Sequence, residues 1–198
     1  EEDRWNGYPE ETNAPYGVAK KALMQRVQSY HEQYDFNGVN LIPVNMYGPH
    51  DNFDPAISHV IPALILRIYK AMKFDIDSVE VWGTGNASRE FLHVHDCAEA
   101  IALSLEKDIS PEPINIGTGG ETQIRHLART IADIMGYKGS VYFNSDYPDG
   151  QPRRQLDISL AREQLGYEPK IGLQEGLETT IDWFMENKED FDVYLNRV

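Results

Sequence analysis

The chain is expected to be an α/β protein, on three observations. Apolar residues recur at helical spacing over about 14–35, continuous apolar runs such as "VNLIPVNMYG" (39–48) read as buried strands, and strand and helix patterns then interleave toward the C-terminus. The first half reads as part of a doubly wound parallel sheet, and the second as a smaller mixed domain packed beside it.

The elements follow in order. Ala19, Leu23, Val27, Tyr30 and Tyr34 recur every three or four residues, so about 14–35 is a helix, with Gly38 as its stop. The strand at 39–48 is expected to end or bend at Pro43, which has no N–H for a ladder. "GPHDNFDP" is a long polar loop. A second helix is expected from near Val60, with Ala63, Leu64, Ile68 and Ala71 following and with Pro62 in its first turn, where a missing N–H costs nothing. "SVEVWG" (78–83) and "EFLHV" (90–94) alternate as short strands, Asp96 is expected to cap a helix over 97–107, and "PINIG" (113–117) is another buried strand. Thr122 is expected to cap a helix over 122–135 that aligns Ile124, Leu127, Ala128, Ile131 and Ile134 and closes at Gly136. "SVYFN" (140–144) is a strand, "YPDGQPRR" a turn-rich loop, Ser159 the cap of a short helix ending at Gly166, and about 173–187 the last long helix.

Bulk properties narrow the function. The chain has 198 residues, 41% of them hydrophobic and 11% aromatic, the composition of a globular protein with a core. A formal charge of −14 argues against nucleic-acid binding, which needs a basic surface, yet leaves room for a small phosphate-bearing ligand held by a few arginines. No apolar run approaches the roughly 18–20 residues of a membrane span, so no membrane partner is expected. The single cysteine, Cys97, rules out an intrachain disulfide and fits a reducing, cytoplasmic location. The opening "EEDRWNGYPEETNAP" is loop-like, without an initiator Met or a preceding strand, and is expected to lie partway along a longer protein.

Several motifs could carry chemistry. Tyr16 and Lys20 stand four apart, on one face of the first helix. An ammonium beside a phenol favours the phenolate and brings a group of reference pKa about 10 toward usable proton transfer. Two glycine clusters, "GTGNAS" (83–88) and "GTGGET" (117–122), put Ser88 and Thr122 where a dinucleotide fingerprint needs its third glycine, so both are read as turns. "HVHD" (93–96) would place His93 and His95 on one strand face, but lacks a third metal ligand in register, and Cys97 is read as a small core residue. Arg67, Arg89, Arg153 and Arg154 recur near Trp82 and Asp149, and an aromatic face with several guanidiniums suits a base and a diphosphate.

At this point a resemblance can be named. "APYGVAKK" resembles the Tyr-x-x-x-Lys segment of the extended short-chain dehydrogenase/reductases. "PVNMYGPHDNFDP", "SHVIPALI", "VWGTGNASREFLHVHD", "INIGTGGETQIRHLA" and "YPDGQPRRQLD" together resemble their GDP-L-fucose synthase family, in order over nearly the whole chain. The resemblance implies an incomplete Rossmann-like parallel sheet with a small mixed α/β substrate-binding domain. Residues 1–58 would be a remnant of the NADP-binding domain, and 59–198 mainly the substrate domain, with 90–137 partly returning to the Rossmann sheet. It implies NADPH as cofactor, a GDP-sugar as substrate, a homodimer for the intact enzyme, and 3,5-epimerisation followed by 4-keto reduction of GDP-4-keto-6-deoxy-D-mannose.

By the same resemblance, Tyr16 protonates the developing alkoxide, and Lys20 binds the nicotinamide ribose while lowering the Tyr16 pKa. Pro43, Val44, Asn45, Met46 and His59 would face the cofactor, and His59 would be the epimerisation acid, a task that suits an imidazole of reference pKa about 6.5. Asn45, Arg67, Trp82, Arg89, Asp149 and Arg154 would contact substrate. The glycine-rich phosphate loop, the partner cysteine for epimerisation and the Ser or Thr that assists the tyrosine fall in the family's N-terminal half and have no counterpart in these 198 residues. Two alternatives stay open: another nucleotide-sugar epimerase, dehydratase or reductase of the superfamily, or a non-catalytic nucleotide-sugar binding fragment.

Overall fold

The computed structural model describes residues 6–9, 11, 14–107, 109 and 111–197; the expected loop at the start of the chain therefore lies partly outside the described residues. Helix α1 spans Ala14–Tyr34. Of its side chains only Ala14 is buried, and Leu23, Tyr30 and Tyr34, the apolar repeat that predicts the helix, are exposed.

The apolar run that follows is two strands, β1 (Leu41–Pro43) and β2 (Asn45–Tyr47). Pro43 has no N–H to donate, and the strand changes partner just after it. β1 runs parallel to β6 (Ile114–Ile116), the N–H of Val44 donates to the Ile116 carbonyl at 3.0 Å, and β2 runs parallel to β5 (Phe91–His93). One extended segment thus links the two parallel pairs.

Helix α2 (Val60–Lys73) buries Ile61, Leu64, Ile65, Leu66 and Ile68, with Pro62 in its first turn as expected. β3 (Ser78–Trp82) pairs in parallel with β8 (Ser140–Asn144) over five residues. Between them in the chain lie β4 (Ser88–Arg89), helix α3 (Val94–Leu105), β7 (Thr122–Gln123) and helix α4 (Ile124–Met135), which ends at Gly136 with φ 72°. β9 (Arg153–Arg154), α5 (Ser159–Leu165), α6 (Leu173–Glu186) and a 3₁₀ segment (Lys188–Tyr194) complete the chain. β4 is the centre of a small mixed sheet, antiparallel to β7 and parallel to β9.

Two apolar clusters hold these layers together. The larger joins α2, α4 and α6 around Phe53 and Phe184; the smaller joins β5, β6, α3 and α5 around Tyr167, whose hydroxyl donates to the Gly117 carbonyl at 3.2 Å. Each fully buried large side chain contributes about 1.5–3 kcal/mol.

Four local expectations are corrected. Asp96 does not cap α3: the helix starts earlier, at Val94, and the buried Asp96 carboxylate accepts the backbone N–H groups of Lys170 and Ile171 at 3.0–3.1 Å, tying the start of α3 to the approach to α6. His95 consequently sits in the first turn of α3 and not on a strand face with His93, whose Nδ1 accepts the His95 N–H at 3.3 Å and supplies the cap. Thr122 is paired with Arg89 in β7, so α4 begins two residues later, with Gln123 at the cap position and no side-chain bond there. Ser159 is the first residue of α5, its N–H accepted by Asp157 Oδ1 at 2.8 Å.

Candidate active site

A cavity of about 370 Å³ is lined by Asn45, Met46, His59, Arg67, Trp82, Arg89 and Asp149, seven of the residues singled out in the sequence. They come from β2, α2, the end of β3, β4 and the loop before β9. Asn45 is at the start of β2, where Nδ2 donates to the Glu90 carbonyl at 3.2 Å. His59 takes the N-cap position of α2 with extended backbone (φ −78°, ψ 174°); its carbonyl accepts the Ala63 N–H at 3.0 Å, and its ring makes no capping bond. His59 is exposed.

Arg67 lies eight residues further along α2, hence on the same face. Nη1 donates to the Glu80 carbonyl at 3.2 Å, and the guanidinium carbon lies 5.2 Å from the Trp82 ring centre. Trp82, at the end of β3, stacks on Tyr147 with centroids 4.6 Å apart and planes 13° from parallel. An aromatic ladder beside a cation is a surface to which planar, electron-rich groups bind.

Arg89 is the electrostatic centre. Parallel pairing of β4 with β9 places Arg89 in register with Arg154. Like charges in register repel. Burial first, and the Arg154 charge second, hold the Arg89 guanidinium below its ordinary proton affinity, against the opposing pull of Asp149. Nη1 donates to the carbonyls of Ser88 at 2.7 Å and Gln151 at 2.6 Å, and among the described residues no carboxylate forms an ion pair with Arg89 or Arg154. The neighbouring Arg153 is the contrast: its Nε meets both Glu121 oxygens at 2.8–2.9 Å, and Nη2 donates to Gln155. Successive strand residues point to opposite faces, so Arg153 pairs with Glu121 on one face while Arg154 takes the other.

Asp149 lines the cavity, but both its oxygens are engaged by Thr84, whose N–H and hydroxyl donate at 2.6 Å. Those bonds hold the carboxyl below the usual range. Gly83, with φ 84°, is required beside it, because a Cβ there would collide with Asp149 Oδ1. Tyr16, Lys20, Pro43, Val44 and Arg154 do not line this cavity. Tyr16 and Lys20 do share a helix face, with Lys20 Nζ 5.4 Å from the phenol ring centre, and Val44 packs against the smaller core.

Asp51, Tyr147 and Glu90 were not singled out by the sequence. Asp51 Oδ2 is buried without a hydrogen-bond partner. Burial pushes this carboxyl up, while the Asn52 N–H and the charge of His59 pull it down. Proximity of "HD" in "GPHDN" to "SH" eight residues on was the only signal in the chain.

Neither glycine cluster is free to cradle a dinucleotide pyrophosphate. The turn at Gly83–Gly85 holds Asp149, and the N–H groups of Thr118 and Gly119 hold Glu90 Oε1 at 2.6 and 2.7 Å. Among the described residues, neither glycine turn offers a dinucleotide a phosphate cradle.

A family model, the NAD dependent epimerase/dehydratase family, matches residues 1–117. The chain belongs to this family. Within it, a GDP-L-fucose synthase of Escherichia coli strain K12 is 44% identical over 96% of this chain and 62% of its own length. A probable GDP-L-fucose synthase of Oryza sativa subsp. japonica is 42% identical over 92% of this chain and 55% of its own. The chain thus spans little more than half the length of such relatives. A crystal structure of a GDP-L-fucose synthetase from Naegleria fowleri superposes with a TM-score of 0.86 at 29% identity, covering 93% of this chain and 58% of that one; the same enzyme bound to NADP gives 0.84. The fold is that of an extended short-chain dehydrogenase/reductase, partial relative to these proteins, and the chain is a homologue of GDP-L-fucose synthases.

Proposed function

We propose that this chain forms the nucleotide-sugar side of an NADP-dependent epimerase–reductase that converts GDP-4-keto-6-deoxy-D-mannose to GDP-L-fucose. The observation that carries the reading is the registered pair Arg89–Arg154 beside a cavity with Trp82 and Arg67. Two guanidiniums without an ion-paired carboxylate among the described residues, one of them desolvated, stabilise a diphosphate better than any neutral ligand. The identity to GDP-L-fucose synthases supports guanine as the base.

On this reading His59 is the acid that returns protons to the sugar carbons that epimerise. The residue is exposed on the cavity wall and its ring makes no capping bond. When bound, NADPH supplies the hydride for the carbon-four ketone. Tyr16 donates its phenolic proton to the oxygen that becomes alkoxide, and Lys20, one turn on, steadies the phenolate and the ribose. Residues 1–58 would then be the cofactor side and 59–198 mainly the substrate side, with 90–137 returning to the shared sheet.

Calorimetric titration of the purified chain with GDP, UDP, CDP and dTDP tests the substrate class. GDP is expected to bind most tightly and to weaken with added salt. Preference for another base would move the chain to a different nucleotide sugar, and no binding by any of them would remove the reading.

A further inference from the structure

Glu90 adjoins Arg89, yet only 1% of its surface is exposed, and the chemistry above gives it no part. A carboxylate withdrawn from water must have its oxygens filled by donors. Oε1 accepts the N–H of Thr118 at 2.6 Å, the N–H of Gly119 at 2.7 Å and the Thr118 hydroxyl at 3.3 Å, and Oε2 accepts the N–H of Leu156 at 2.8 Å. Consecutive amides that converge on an anion, with a left-handed residue in the turn, form a backbone nest, and Gly119 has φ 74°. A Cβ on Gly117 would collide with Glu90 Oε1, so the glycine there lets the turn close on the carboxylate.

The two segments that Glu90 grips lead to the two outer strands of the small sheet. The 117–119 turn runs into β7, and Leu156 lies two residues past the end of β9. Both strands are two residues long, too short for their ladders alone to fix a register. The β4–β9 ladder must also hold Arg89 and Arg154 together against their repulsion. The buried carboxylate is the one group that bonds to both sides of β4 through main-chain donors among the described residues.

We propose that Glu90 is a positioning residue for anion recognition: its carboxylate locks β7 and β9 onto β4 so that Arg89 and Arg154 converge on one diphosphate. This rests on the reading of the cavity as a nucleoside-diphosphate site, and it adds the device that holds the like-charged pair.

The test uses the purified chain with Glu90→Gln, which keeps the shape but turns an NH₂ toward a main-chain donor, and Glu90→Asp, which keeps the charge but is one methylene too short to reach both segments. Both are expected to weaken GDP and inorganic pyrophosphate at least tenfold by calorimetry, to leave guanosine binding by NMR titration within twofold, and to flatten the salt dependence. Arg154→Ala should cost about tenfold in GDP affinity in the native background and under threefold with Glu90→Gln, since the pair is already misplaced. Without ligand, amide exchange at Thr118, Gly119 and Leu156 should accelerate in both variants. A merely structural role would weaken guanosine alongside GDP and leave the Arg154 effect additive, and either result overturns the proposal. Native-like GDP affinity in both variants overturns it too, while leaving the nucleotide reading intact. Failure of the native chain to bind GDP or pyrophosphate overturns both.

Discussion

Arg89→Ala is the sharpest perturbation of the site. The guanidinium has five N–H donors; Nη1 is occupied by the Ser88 and Gln151 carbonyls, so Nη2 and Nε remain for a phosphate fork. Each charge-assisted bond is worth about 1.5–3 kcal/mol, so two at the lower bound give about 3 kcal/mol, or about 150-fold in GDP affinity. Because Nη1 also anchors the 150–152 loop, the alanine variant adds a loss of order that Arg89→Lys partly separates: lysine keeps the charge without the fork and is expected to fall between. Lys188→Ala, on the 3₁₀ segment away from the cavity, serves as the control and should leave affinity unchanged. Isothermal titration at two salt concentrations measures all four proteins. Equal GDP affinity for Arg89→Ala and the native chain, in a folded variant, would refute the assignment of the anion site to this arginine.

Three further outcomes are expected. His59→Gln, in a protein that turns over, should suppress solvent deuterium exchange into the sugar by at least tenfold while sparing reduction of a ketone already epimerised; unchanged exchange would take His59 out of the acid role. Tyr16→Phe should lower ketone reduction by at least a hundredfold with little change in GDP-sugar affinity, because the lost hydroxyl acts mainly in the transition state. Thermal stability should fall as pH drops below about 6.5: burial, and then the His95 charge, hold the His93 pKa below its unfolded value, against Asp96 and Glu175, so the unfolded chain takes up a proton there that the folded chain refuses. His93→Asn should flatten that limb of the profile, and an unaltered slope would reassign it.

Much of the architecture could be read from periodicity, and its gaps have physical causes. α2 and α4 show themselves because a helix with one buried face must repeat its apolar residues, and Gly136 marks its C-terminus because the left-handed turn there favours glycine. Pro43 announced the break in the first strand, though not that the two halves would pair with different neighbours. β4, β7 and β9 escaped because two residues cannot display an alternation. Asp96 has the chemistry of a cap and the right local position, but its partners, Lys170 and Ile171, are over seventy residues away. The site divides in the same way. Residue type pointed to His59, Arg67, Trp82 and Arg89, all of which line one cavity, whereas Glu90 is a charged residue next to another in the sequence, and only burial distinguishes it.

The central claim, that Arg89 and Arg154 receive the diphosphate of a guanine nucleotide, is tested most directly by a crystal structure of the chain with GDP. The account predicts phosphate oxygens within hydrogen-bonding distance of both guanidiniums, with Glu90 still seated on the Thr118 and Gly119 amides. GDP bound elsewhere, or in the cavity with its phosphates turned away from both arginines, would contradict it.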